Sequence, residues 1–288
     1  MIQRLLRARP VVLDIDDWEV GLATGSEDYR WWHIGPNRLG HPNSILYATM
    51  MEGFIRSADS ITVTSDFLKE KYGGVKVPHG RDTSYLDPQK YPSHLHRSAL
   101  GLGNEKHIVF LGTPRVHKGI AVLASAVRSL GRRDLKILIV GATHDSKYSD
   151  SQSGSFMPDA FEASYIERRG YCSFPDVPKY LSVADIVVLP QRDRPESWGQ
   201  VPAKLFDAMA MARPIVASAV SDIPQILDGC GIVVPPDDPS ALADAIQFVI
   251  DHPVEAKLMG LRARERCIQE YSLKAMQDVL FPLFETYQ

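Results

Sequence analysis

The 288-residue sequence predicts an α/β fold with a parallel, Rossmann-like sheet layer, on three observations. Strand-length, predominantly apolar segments recur at 107–111, 136–140, 185–189 and 214–218, and helix-length segments separate them. Strands alternating with helices favour a parallel sheet joined by right-handed crossovers. A shorter alternation occupies the first part of the chain, with apolar runs at 10–15 and 60–64. Finally, the block PESWGQVPAKLFDAMAMARPIVAS, residues 195–218, reads as a polar loop, a helix bearing Lys204 and Asp207, and an apolar strand. An open α/β sheet offers charged groups to a ligand at its strand ends in this way.

The elements follow in order. After the strand at 10–15 comes an aromatic loop with Trp18, Trp31, Trp32 and His33, then a helix near 43–58 and the strand at 60–64. A helix over 65–71 has Ser65 as its N-cap, since a serine hydroxyl accepts from a free amide of the first turn. The polar, proline-containing stretch 87–97 is read as the linker between domains, which we place at 1–98 and 99–270, with 271–288 as a closing helix. The second part adds strands at 165–168 and 231–234 and helices at 118–130, 177–182, 202–211, 223–227, 239–250 and 254–269, with an amphipathic helix over 272–287. Residues 146–154 form a loop of low complexity.

Composition narrows the function classes. With 44 % hydrophobic and 23 % charged residues the chain can bury a sizeable core and is long enough for two domains, one compact domain being the alternative. A net charge of -3 supplies no basic footprint for nucleic acid, so an anionic ligand must be met by local charge. The widely spaced Cys172, Cys230 and Cys267 suggest neither a disulfide framework nor a metal site, and a reducing cytoplasm is the expected setting. No apolar run reaches membrane-spanning length.

Three groups could carry chemistry. In FLGTPRVHKG, residues 110–119, Gly112 lets the backbone approach a ligand, and the free amides of the next helix favour an anion. Arg115 and Lys118 add a planar fork and a point charge there, although a solvated basic turn would look the same. In the second group, Glu196 or Asp207 can hold paired hydroxyls of a sugar or ribose by charge-assisted bonds. The alternative is that Lys204 and Asp207 form an ion pair on a surface helix whose Leu205, Phe206 and Met209 face the core. The third group is the acidic strand end at Asp14, Asp16 and Asp17, read as a cleft-lining loop rather than a metal site. His33, His79 and His117 are read as surface or capping residues.

In their order, the segments PVVL (10–13), ITVTSDFL (61–68), VPHGRD (77–82), GTPRVHKG (112–119), IVG (139–141), ADIVVLP (184–190) and the 196–218 block resemble the family 4, or group 1, retaining glycosyltransferases of GT-B fold. The resemblance implies two Rossmann-like domains with parallel sheets and a nucleoside-diphosphate sugar as donor substrate, bound mainly by the C-terminal domain, with no cofactor and no metal. Arg115, Lys118 and Glu196 would be the catalytic residues. Gly112, Thr113, Gly141, Ser197, Trp198, Gly199, Gln200, Lys204 and Asp207 would bind the donor, and Asp16 and Asp17 would lie on the acceptor side. Lys118 matches the family lysine that holds the diphosphate, whereas Thr113 stands where an arginine is usual and Asp16 where a histidine is usual. The family's spaced pair of glutamates is not kept, and Asp207 is favoured for the ribose diol, with Glu196 directed to the sugar.

The family also implies elements ahead of the strand at 10–15 that have no counterpart here, so the N-terminal domain is expected to be incomplete. The leading expectation is sugar transfer with retention to a glycan, lipid or small-molecule acceptor. The alternatives are an inactive donor-binding fragment or one subunit of a split enzyme, completed by an N-terminal chain or a dimer partner, and, third, a sugar-nucleotide epimerase. The exposed sheet edge at 10–15 would favour association. A peripheral membrane contact through Arg4, Arg7 and Arg9 is an open alternative to a solvated helix end.

Overall fold

The computed structural model describes residues 9–24, 45–141 and 164–287. Trp31, Trp32, His33, the 146–154 loop, Arg4 and Arg7 lie outside the described residues.

Two parallel sheets organise these residues. The smaller has β1 (Val12–Ile15), β2 (Ser60–Val63) and β3 (Val75–Lys76) side by side in that order, with Leu13 opposite Ile61 and Val63 opposite Lys76. Its helices are α1 (Glu19–Thr24), α2 (Ile45–Phe54) and α3 (Asp66–Tyr72). The Ser65 side chain accepts from the Leu68 amide at 3.2 Å and caps α3, as the sequence predicts. After β3 the chain turns through Pro88–Lys90 into α4 (Ser93–Ala99). The stretch read as an open linker therefore holds ordered structure, and Leu86, Tyr91 and Leu100 around it pack into the core of the larger sheet.

That sheet contains β4 (Lys106–Leu111), β5 (Leu135–Val140), β6 (Ile166–Arg169), β7 (Ile186–Leu189), β8 (Ile215–Ser218) and β9 (Ile232–Val234). Their order is β6-β5-β4-β7-β8-β9, every neighbouring pair parallel. The helices between them are α5 (Ile120–Leu130), α6 (Val177–Ser182), α7 (Pro195–Trp198), α8 (Ala203–Ala210) and α9 (Ile223–Leu227). The chain ends in α10 (Pro239–Asp251), α11 (Pro253–Glu270) and α12 (Leu273–Glu285).

The central strands are largely apolar because both of their faces are covered, whereas the edge strand β6 carries Glu167, Arg168 and Arg169 and is only partly buried. Along β4, Ile108 and Phe110 enter one core with Leu123 and Val127 of α5 and Ile246 of α10. Val109 and Leu111 enter the other, with Leu205, Phe206 and Met209 of α8 and Ala263 of α11. The helix expected from Lys118 begins two residues later. Gly119 takes a left-handed φ of 69°, so Val116–Lys118 form a single 3₁₀ turn and α5 starts at Ile120. The polar loop before α8 contains the helical turn α7, in which Glu196 and Ser197 are buried.

The last helix returns to the smaller sheet. The Arg81 amide donates to the Tyr271 carbonyl, and the Leu273 amide to the Arg81 carbonyl, both at 2.9 Å. Farther along, the Tyr287 hydroxyl hydrogen-bonds the Ser60 hydroxyl. Among the described residues no helix is long and apolar enough to cross a membrane.

Candidate functional site

The strand order reverses between β4 and β7, so the loops leaving their carboxyl ends diverge and open a crevice. The loop after β4 carries Gly112, Thr113, Arg115 and Lys118; the connection after β7 carries Gln191, Glu196, Ser197, Trp198, Gly199 and Gln200, then Lys204 and Asp207 on α8. The smaller sheet faces them with Asp16 and Asp17 beyond β1 and His79 and Arg81 beyond β3.

Positive charge gathers at the β4 side. Lys204 donates to the Leu111 carbonyl, and its ammonium lies 5.2 Å from the centre of the Phe110 ring. Gly112 has φ 115°, and a β-carbon there would collide with the Lys204 ammonium. At the end of β5, Gly141 has φ 109°, and its β-carbon would come 2.8 Å from the Gly112 carbonyl carbon. The two strand ends thus approach backbone to backbone, which a larger residue at Gly141 would prevent, while one at Gly112 would displace the Lys204 ammonium. Lys118 donates to the side-chain oxygen of Gln200. Burial, reinforced by Lys204 and Arg115, pushes Lys118 down to about 7. Burial and Arg115 push Lys204 down to about 8, against the pull of Asp207. Arg115 and Thr113 are exposed at the mouth. His117, expected at the surface, is instead buried, and burial together with Lys118, Arg115, Arg194 and Lys204 pushes it down to about 3, leaving it neutral.

The carboxylates are set apart from one another. Asp207 does not pair with Lys204 on an exposed helix face; it is buried and accepts from Arg81 Nε at 2.6 Å. Burial raises the Asp207 carboxyl, with Arg81, Lys204 and His79 pulling the other way. Glu196 reaches Arg194 at 3.7 Å, beyond hydrogen-bond distance, so its Oε2 is buried without a hydrogen-bond partner, as is the Ser197 hydroxyl. Asp17 accepts from Gln200 Nε2 at 2.9 Å, which completes a chain from Lys118 through one amide to the opposite sheet. Asp16 is exposed, and its carboxyl is raised by burial of part of its surroundings and by Asp14, against the attraction of His79. His79 lies 5.7 Å from the Phe206 ring and is lowered by burial. Trp198 stacks on Trp18 at 6.0 Å and donates to Asp193 at 2.7 Å.

The structure brings Gly112, Gly141 and Lys204 into one contact set and Lys118, Gln200 and Asp17 into a second, with the Lys204 charge acting on Lys118. Asp207 is turned toward Arg81, and Trp198 and Gly199 serve the contact between sheets, where the Ser65 hydroxyl donates to the Gly199 carbonyl at 3.0 Å. Sequence reading assigned no role to Arg81, Gln191 or Asp222. Asp222 accepts from the Asp66 amide at 3.0 Å and from Lys76 at 2.9 Å, tying α3 to the larger sheet. Arg81 stands in the VPHGRD segment, but its partner is 126 positions away and no local pattern announces it. Among the described residues no group of three or more His, Cys, Asp or Glu is placed to hold a metal ion.

Fold and site define a class: a two-sheet α/β protein with cationic side chains collected at the switch point of its larger sheet. The family described as Glycosyl transferases group 1 matches residues 105–252, and the chain belongs to that family. Its relatives include the D-inositol 3-phosphate glycosyltransferase of Paenarthrobacter aurescens, 32 % identical over 223 residues, covering 73 % of this chain and 52 % of that protein. The alpha-D-kanosaminyltransferase of Streptomyces kanamyceticus is 27 % identical over 196 residues, covering 65 % of this chain and 47 % of its own length. The chain thus spans about half the length of these curated relatives. Among solved structures, sucrose-phosphate synthase from Thermosynechococcus elongatus superposes with a TM-score of 0.72 at 21 % identity, over 96 % of this chain and 67 % of that one. Anabaena Alr3699/HepE in complex with UDP and glucose gives 0.73 at 16 % identity, over 99 % and 73 %. The α/β, GT-B fold class is the one expected from sequence.

Proposed function

We propose that this protein binds a nucleoside-diphosphate sugar at the switch point of the larger sheet and transfers the sugar, with retention, to a glycan, lipid or small-molecule acceptor. The observation that carries this reading is the pair of depressed lysines. Lys118 and Lys204 are held by an amide and a carbonyl, which offset little of a buried ammonium's lost hydration, so an arriving anion gains both charges. A diphosphate matches them in charge.

In transfer, the bond between the anomeric carbon and the diphosphate oxygen breaks and negative charge grows on the departing diphosphate. Lys118, Lys204 and Arg115 stabilise that charge, and because they are already in place they need little reorganisation when the bond breaks. The acceptor oxygen bonds to the anomeric carbon and its proton leaves with the diphosphate. Asp16 and Asp17 border the crevice on the acceptor side. Retention enters through the family resemblance, and Asp207 is offered as the ribose-diol ligand after reorienting from Arg81.

The test is calorimetric titration with UDP, GDP and ADP, taking UDP first because it occupies the Anabaena neighbour. One nucleotide is expected to bind saturably and to bind at least tenfold more weakly, about 1.4 kcal/mol, in Lys118→Ala. No binding of any of the three would sink the reading.

A further inference from the structure

Gln191 stands two positions beyond β7, at the strand end that borders the switch point, and it is 2 % exposed. Neither its Oε1 nor its Nε2 has a hydrogen-bond partner. A primary amide carries two N–H donors and an acceptor oxygen, and burying all of them unmet is costly enough that native proteins seldom do so without a ligand or an ordered water. The backbone places the residue beside the cationic turn. The amide of Arg192 donates to the His117 carbonyl at 2.9 Å, and the Pro190 carbonyl lies so close to Gly119 that a β-carbon there would collide with it.

Two further side chains of the same connection share the condition. The Ser197 hydroxyl is fully buried without a hydrogen-bond partner, and Glu196 Oε2 is buried without one, 3.7 Å from Arg194 Nε. One short segment between β7 and α8 therefore withholds an amide and a hydroxyl from both solvent and protein, beside a buried carboxylate oxygen that is ion-paired to Arg194 but accepts no hydrogen bond. This set, able to donate and to accept, fits a group with several hydroxyls better than a bare anion or an apolar ring.

We propose that Gln191 reads the sugar ring of the donor, its amide pairing with ring hydroxyls beside Glu196 and Ser197, while the lysines hold the diphosphate. The inference rests on the reading of the crevice as a nucleotide-sugar site. It makes Gln191 a specificity residue: the amide oxygen accepts from one hydroxyl and an N–H donates to another, so a ring lacking either leaves the amide unpaired. A site built to hydrogen-bond a hydroxyl discriminates strongly against its absence for that reason.

The experiment compares wild type, Gln191→Leu and Gln191→Met by calorimetry against UDP, UDP-glucose and the monodeoxy analogues of its glucose ring, with the GDP and ADP counterparts run in parallel. The wild type is expected to lose at least fivefold in affinity when one particular hydroxyl is removed. Both variants should bind the bare diphosphate within twofold of wild type, raise the ratio of sugar-nucleotide to nucleotide Kd at least fivefold, and be insensitive to that hydroxyl. Their Tm should equal or exceed that of wild type, since an unmatched polar group has been removed. Nucleotide binding with an unchanged ratio and unchanged hydroxyl sensitivity would overturn the role of Gln191 and leave the donor-site reading standing. Failure of every nucleotide and sugar nucleotide to bind wild type would overturn both.

Discussion

Burial loosens the protons of Lys118 and Lys204, to about 7 and about 8, so before a ligand arrives at neutral pH Lys118 is partly charged and Lys204 mostly so. A bound diphosphate favours the charged form of both and must raise both values. Binding at pH 8 is therefore expected to take up protons from solution, and affinity should fall as pH rises from 7 to 9. Calorimetry in buffers of different ionisation enthalpy measures the uptake directly. Lys118→Ala should take up fewer protons, and binding without proton exchange would contradict the depressed lysines. The unliganded protein should show the opposite trend in stability. These lysines bind protons less well folded than unfolded, so the unfolded chain holds more of them between about pH 7 and 10.5, and stability rises with pH across that window. At this scale the sequence was readable in part. Lys118 stood out by its place after Gly112, but the bond from Lys204 back to Leu111 spans 93 positions and exists only once β4 and α8 meet.

At the scale of elements, Arg81 lies where the end of the smaller sheet, the start of α12 and the buried face of α8 converge. Its backbone pairs with Tyr271 and Leu273, while its guanidinium pairs with Asp207, with side-chain exposures of 15 % and 10 %. Truncating one member of so enclosed a pair strands the other charge. Arg81→Ala is expected to cost about 3–5 kcal/mol in chemical denaturation, and Arg81→Met with Asp207→Leu markedly less. A single variant within 1 kcal/mol of wild type, on the order of the exposed-pair range, would show that water already reaches the pair. Elements with a strong local signature were legible. The runs at 108–111 and 186–189 are apolar at consecutive positions because parallel strands are covered on both faces, and their residues do divide between the two cores. The two-residue β3 and the short α1 lack such a signature, since neither is long enough to display a period. The buried turn at Glu196 and Ser197 was read as a loop because its residues are polar, and its burial comes from neighbours distant in sequence.

For the whole molecule, the two sheets differ in how deeply they are enclosed. In the smaller one, Val63, Leu68 and Val77 are buried, while α2 and α12 contribute no buried side chain among the described residues. The larger has two extensive cores, one on each face. Native-state hydrogen exchange should therefore show the amides of β1 and β2 opening with lower free energy than those of β4, β5 and β7. Equal protection in both sheets would mean that the contacts at Ser65, Asp66 and Lys76 bind them into one cooperative unit.

The stacked indoles also have an optical consequence. Trp18 comes from the smaller sheet's side and Trp198 from α7, and their rings lie 6.0 Å apart, 13° from parallel. Indoles so close couple electronically, which perturbs their near-ultraviolet dichroism and fluorescence in a way that declines steeply with separation. Any hinge motion between the sheets would change the spectrum of the unlabelled protein, with Trp198→Phe as the blank that isolates the pair's contribution.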